Sequence, residues 1–259
     1  MESSSITDFL NGPYRDYAVY VLEERAIPSV IDGFKPTQRK IIYIADKVWK
    51  NGKEKPLKVF QLAGRVAADA KYHHGDASLS GAIITMAQSF KNSMPVLQSI
   101  GQYGSLRSPE AGAPRYVSTK LHENFRQIYM DFDLLSPTYD EGDEIEPEYF
   151  LPIIPTVLLN GSSGIAVGFA TNILNRNPIT LIDCCLKELA GKGFREPVPW
   201  YNGYTGVVAK DPASSSWIFS GSWKAKNTTT IDIAELPPSM TYEKYDTYLS
   251  TKEDLRAIA

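Results

Sequence analysis

Cysteine is nearly absent from this chain: only Cys184 and Cys185 occur among 259 residues, and neighbours in sequence rarely form a structural disulfide. No histidine or cysteine stands at ligand spacing beside them, so they read as buried thiols in a reducing compartment and not as half of a zinc site. Long apolar runs are also missing. No stretch approaches the roughly 20 residues needed to span a bilayer, and Met1-Glu2-Ser3-Ser4-Ser5-Ile6 lacks a basic segment leading into an apolar one. A soluble, cytoplasmic chain, neither secreted nor membrane-bound, is expected. Phosphate loops are absent too: Gly161-Ser162-Ser163-Gly164 has the glycines but not the Gly-Lys-Ser/Thr continuation that holds a nucleotide. Asp131-Phe132-Asp133 resembles a Mg²⁺-binding pair, yet no apolar strand precedes it and acidic residues follow, which favours a solvated loop and no metal site in this chain.

Positive charge is missing from one region and concentrated in another. Gln127 to Tyr149 carries eight Asp or Glu and no Lys or Arg, whereas Lys35 to Arg126 carries fifteen Lys or Arg against six Asp or Glu. The net charge of −3 hides this division. Neutralising phosphates is the main source of affinity for DNA, so the basic segment is the candidate footprint and the acidic one a connector.

The chain has no internal repeat and no low-complexity tract, and its 43% hydrophobic content suits one large domain or two small ones. Apolar spacing predicts helices over Tyr14 to Arg25, Pro36 to Trp49, Pro56 to Ala70 and Ser78 to Phe90. Lys35, Arg39 and Lys40 gather at the start of the second, where phosphate could be met. Two helices joined by the tight Lys71-Tyr72-His73-His74-Gly75-Asp76-Ala77 turn, then a glycine-rich loop, make the pattern of a winged helix-turn-helix with Ser78 to Phe90 facing the groove. Beyond the acidic connector come short β-rich runs (Tyr204 to Ala209, Ser216 to Phe219, Thr228 to Ile233) and one helix, Pro178 to Leu189. The fold class is α+β: an N-terminal arm and helix over 1–25, a winged-helix domain over 26–145 and an α+β domain over 146–259.

Chemistry concentrates at Ala113-Pro114-Arg115-Tyr116. A tyrosine hydroxyl is a poor nucleophile until adjacent positive charge or a metal favours its phenolate, and Arg115 supplies such charge. His73 and His74 lie just before Gly75, where the amides of the next helix favour an anion, and so suit phosphate or leaving-oxygen contact better than metal ligation.

Six blocks in order resemble the breakage-reunion region of type IIA DNA topoisomerases: Arg25 to Arg39, Gln61 to Ala68, Tyr72 to Asp76, Ile100 to Ser105, Ala113 to Tyr116, and Glu146 to Pro155 leading into Asn160 to Ala166. The adjacent histidines, Pro114 and Glu146-Pro147-Glu148-Tyr149 are more similar to the eukaryotic and T-even phage branch, with its separate DNA-cleaving subunit, than to bacterial gyrase. The resemblance implies a 5′-phosphotyrosyl link through Tyr116, transition-state stabilisation by Arg115, and a scissile-phosphate site of Lys35, Arg39 and His74 with Arg25 and His73. Ile165 would wedge between base pairs of double-stranded DNA. It further implies an ATP-dependent isomerase that works as a homodimer, with Mg²⁺ and ATP held by an ATPase/Toprim subunit, in the host cytoplasm if phage-encoded. The sequence stops at Ala259, inside the family's tower domain and before its coiled coil and C-terminal gate. Ala77 and Gly81 replace the polar pair that anchors quinolones in gyrase, so drug binding of that kind is not expected. The alternative is a non-catalytic winged-helix DNA-binding protein in which Tyr116 only packs.

Overall fold

The computed structural model describes residues 5–50 and 52–256; the first four residues of the expected arm lie outside them. The chain begins with α1 (Ile6–Phe9), capped by Ser5, whose hydroxyl accepts from the Asp8 N–H at 3.1 Å while the Asp8 carboxylate accepts from the Ser5 N–H at 3.3 Å. A widened helical turn over Leu10–Tyr14, holding Gly12 and Pro13, leads to α2 (Arg15–Val21), and a second wide turn, Leu22–Ala26, ends before Pro28. The single helix expected over Tyr14 to Arg25 is thus a helix flanked by two widened turns. Pro13 has no N–H to give, and the coil loosens around it.

Helix α3 (Pro36–Val48) starts with proline where its missing N–H is harmless, and the Lys35 N–H donates to Gln38 Oε1 at 2.9 Å. Its Ile41, Ile42, Ile44 and Ala45 are buried, as is Trp49. Next come β1 (Leu57–Lys58), α4 (Val59–Asp69), α5 (Asp76–Ala87), β2 (Leu97–Ile100) and β3 (Ser118–Leu121). β3 lies between β1 and β2, antiparallel to both. Three helices on a three-stranded antiparallel sheet, with a long loop between β2 and β3, make the winged helix. Helix α5 starts and ends slightly earlier than its periodicity suggested. Gly75 takes φ +46 and admits Asp76 to the first turn, whereas Gln88 turns extended and donates its side-chain amide to Tyr103 O (2.7 Å) and Pro109 O (2.9 Å).

Helix α6 (Glu123–Ile128) and the turn Phe132–Leu134 bring Phe125, Tyr129 and Phe132 against Phe34 and Phe150, with ring centroids 5.0 to 6.1 Å apart. The same core takes in Leu159 and Leu181, so packing runs across the expected division at 145/146. The acidic connector forms a hairpin, β4 (Thr138–Asp140) with β5 (Asp143–Ile145). After α7 (Thr156–Leu159) a second hairpin, β6 (Ser162–Ala166) with β7 (Phe169–Ile173), lies against Leu22–Ala26. The remainder is α8 (Pro178–Leu189), the hairpins β8 (Val207–Lys210) with β9 (Trp217–Ser220) and β10 (Ser222–Ala225) with β11 (Ile231–Glu235), and α9 (Tyr242–Arg256). Arg107 ties this part to the wing: its guanidinium pairs with Glu235 and donates to Pro237 O at 2.8 Å.

Candidate nucleic-acid interface

The wing hangs on the first turn of α4, because the Val59 N–H donates to Val117 O (3.1 Å) and the Phe60 N–H to Pro114 O (3.2 Å). Val117 is buried and faces inward, which turns its neighbour outward: the Tyr116 ring is 70% exposed. That is no packing position, and its hydroxyl is open to a ligand. The Arg115 guanidinium carbon lies 5.2 Å from the Tyr116 ring centroid, and Lys58 Nζ donates to Tyr116 O at 2.8 Å. Two cations therefore flank this one residue. The loop is held tight by Gly104, at φ +79, where a Cβ would lie within 2.8 Å of the Pro109 and Glu110 backbone.

On the turn between α4 and α5, His73 is exposed and His74 is half-buried. His74 Nε2 lies 2.7 Å from the Tyr20 hydroxyl of α2, and the Tyr72 ring meets His74 edge-on at 5.5 Å. An open groove of about 630 Å³ runs beside α5, with Arg25, Lys35, Lys91, Ser78 and Ser163 among its walls. Lys35 Nζ donates to Ser163 O at 2.6 Å. Burial lowers the pKa of both Lys35 and Lys91, so each ammonium is under-solvated and gains from an arriving anion. Gly164 lets β6 lie flat here, since a Cβ would lie 2.6 Å from Ala26 O and 3.0 Å from Lys35 Nζ. Ile165, near the hairpin tip and opposite Ala170 in the register, is 86% exposed. It is not a core isoleucine.

Two expected phosphate contacts are arranged otherwise. Arg39 is buried and donates from Nε to Asp32 Oδ2 at 2.8 Å and from Nη2 to Asp32 Oδ1 at 3.1 Å. Lys40 Nζ pairs with Glu146 at 2.7 Å and donates to Ala70 O at 2.8 Å. Both cations serve the fold in this arrangement, because the helix turns them away from Lys35 toward the core and the acidic segment. The acidic segment is solvent-exposed, as expected, but it also supplies surface ion pairs. Lys71 Nζ lies 3.2 Å from Asp143, 3.4 Å from Glu141 and 3.8 Å from Asp140, while Lys47 reaches Glu144 at 3.9 Å. Arg25, Lys35 and Lys91 line the groove. Lys58, Lys91 and Tyr20 were not singled out by sequence pattern; only proximity in the fold assigns them here.

Among the described residues no three His, Cys, Asp or Glu stand together as a metal ion would require. Asp131 is exposed, and the Asp133 side chain lies outside the described ones. Ala77 is exposed and a Cβ at Gly81 would meet open space, so neither position offers a polar side chain to a drug. No described helix is long and apolar enough to cross a membrane.

The chain is similar to known proteins over most of its length. Residues 25–258 match the family model for the A-subunit of DNA gyrase/topoisomerase IV. The chain is 38% identical over 229 residues to the DNA topoisomerase medium subunit of Enterobacteria phage T4, covering 88% of this chain and 51% of that one. It is 37% identical over 220 residues to rat DNA topoisomerase 2-alpha, covering 83% and 14%. The chain thus spans about half the length of the phage relative and far less of the eukaryotic one. The crystal structure of the Plasmodium falciparum topoisomerase II DNA-binding, cleavage and re-ligation domain superposes with a TM-score of 0.85 at 34% identity, over 94% of this chain and 34% of that one.

Proposed function

The chain belongs to the family of DNA gyrase/topoisomerase IV A-subunits and is a type IIA breakage-reunion domain, and on that premise we propose that Tyr116 is the nucleophile of a transient double-strand break. Its phenolic oxygen attacks a backbone phosphorus as the bond to the 3′ oxygen breaks. The products are a 5′-phosphotyrosyl link and a free 3′-hydroxyl, which takes up a proton; the reverse attack reseals the strand. Arg115 is placed to stabilise charge on the non-bridging oxygens, and His74 to donate to the phosphate or the leaving oxygen. Arg25, Lys35 and His73 hold the flanking backbone, and Ile165 wedges the bent duplex.

The observation that carries this reading is the wing itself, which buries Val117, exposes Tyr116 and stacks Arg115 beside it. Two copies of the chain cut two strands, and passage of a second duplex follows. Enzymes of this family generally use Mg²⁺ and ATP. On this reading both are held by an ATPase/Toprim subunit, with Mg²⁺ supplying charge stabilisation at the reacting phosphate. The name "medium subunit" of the phage relative supports such a division of labour.

The test is denaturant trapping with supercoiled DNA, Mg²⁺ and the partner. Wild type should yield covalent 5′ adduct and Tyr116→Phe none, while both bind DNA equally. Arg115→Ala should slow single-turnover cleavage about 10²-fold or more. Adduct from Tyr116→Phe would sink the assignment, and DNA binding without any adduct from wild type would leave a non-catalytic winged-helix protein.

A further inference from the structure

We propose that Tyr20 is a positioning residue that holds neutral His74 in its Nδ1–H form, so that a ring N–H is always available to the DNA backbone. This rests on the reading of His74 given above. Tyr20 sits on α2, 54 residues away in sequence, yet its hydroxyl lies 2.7 Å from His74 Nε2 and the two rings are 6.1 Å apart. The Tyr72 ring closes on His74 from its own turn, so the imidazole is held between two aromatic side chains. Among the described residues Nδ1 has no hydrogen-bond partner, and no carboxylate pairs with either ring nitrogen. The charged or titratable neighbours along the turn are Lys71, Tyr72, His73 and Asp76, and α2 contributes Tyr20.

Which nitrogen of a neutral imidazole carries the proton is set by what the other nitrogen bonds. In water the Nε2–H form is favoured, and it would leave Nδ1 a bare acceptor that repels a phosphate oxygen. A tyrosine hydroxyl donating to Nε2 reverses that preference. When His74 is protonated, Nε2–H donates to the same hydroxyl oxygen, and Nδ1–H is again the free donor. One hydroxyl therefore serves both charge states. The same arm also carries Arg25 to the groove, so the segment preceding the winged helix contributes to the site twice.

Nitrogen-15 spectra of the full chain labelled at its three histidines test the tautomer directly. Neutral His74 should be protonated at Nδ1 in wild type and shift toward Nε2–H in Tyr20→Phe, which keeps the ring. A wild-type His74 protonated at Nε2 when neutral, or a tautomer that ignores Tyr20→Phe, overturns the proposal. In the complex with the ATPase/Toprim subunit, Tyr20→Phe should slow single-turnover cleavage about three- to tenfold, the worth of one hydrogen bond, with DNA affinity unchanged. In a His74→Ala background it should cause no further loss. Additive losses would make Tyr20 merely part of the arm's packing. If His74→Ala leaves cleavage intact, it is the role of His74 in cleavage that fails, and the spectra still decide the tautomer.

Discussion

At the scale of single residues, burial decides which arginines hold the fold and which can meet DNA. Arg115 and Arg39 are both attractive in the sequence, but Arg115 is exposed beside an exposed tyrosine while Arg39 is buried against Asp32. Asp32 is a hub. Its carboxylate also accepts from the Phe150 N–H at 3.1 Å, and its carbonyl accepts from Tyr129 Oη (2.9 Å) and Thr156 Oγ1 (2.7 Å). Arg39→Ala would strand that carboxylate in the core, and loss of one partner of a buried pair costs about 3–5 kcal/mol. The expected outcome is a large drop in the urea midpoint. A variant of native stability with weakened DNA binding would return Arg39 to the phosphate site.

At the scale of elements, the wing and the β6–β7 hairpin are rigid supports with exposed tips. Tyr103 braces the wing: its hydroxyl donates to Ser118 O at 2.8 Å, and burial pushes its pKa up from near 10 to about 12. A folded pKa above the unfolded one means stability that is fully present below pH 10 and lost as pH rises toward 12. Tyr103→Phe should cost about 1 kcal/mol at neutral pH, and its deficit relative to wild type should shrink between pH 10 and 12, as followed by chemical denaturation. A constant deficit across that range would show that the hydroxyl does not titrate with unfolding. The hairpin presents Ile165 to the outside, so Ile165→Ala should leave stability unchanged and reduce DNA bending measured by energy transfer between end-labelled dyes. Equal bending would remove the wedge.

At the scale of the whole molecule, the cations divide between ion pairs and the groove. The acidic segment pairs with Lys40 through Glu146 and with Lys47 and Lys71 through the β4–β5 hairpin, while Arg25, Lys35 and Lys91 line the groove. Binding to duplex DNA should weaken steeply with salt, and removing Lys35 or Lys91 should each lower the slope of log K against log salt by about 0.9. Lys40→Ala should leave that slope alone. With DNA and Mg²⁺ but no partner, the chain should bind and form no adduct. Adduct from the chain alone would mean that its own carboxylates suffice, and Asp131 and Asp133 would be the first to replace.

The sequence by itself determined the order of motifs, the winged-helix pattern and the Arg115-Tyr116 pair, because these rest on local signals: helical spacing, a glycine turn, adjacent residues. Helix α8 falls on the residues its apolar spacing and the Asn177 cap require. It did not determine where charges find partners. Whether Lys40 faces a phosphate or Glu146, or Arg39 a solvent groove or Asp32, depends on segments over a hundred residues away or on the side of a helix that packing selects. Tyr20 meeting His74 is likewise a fact of tertiary structure: no periodicity links residues 54 apart, and only the docking of α2 against the turn brings a hydroxyl within 2.7 Å of an imidazole.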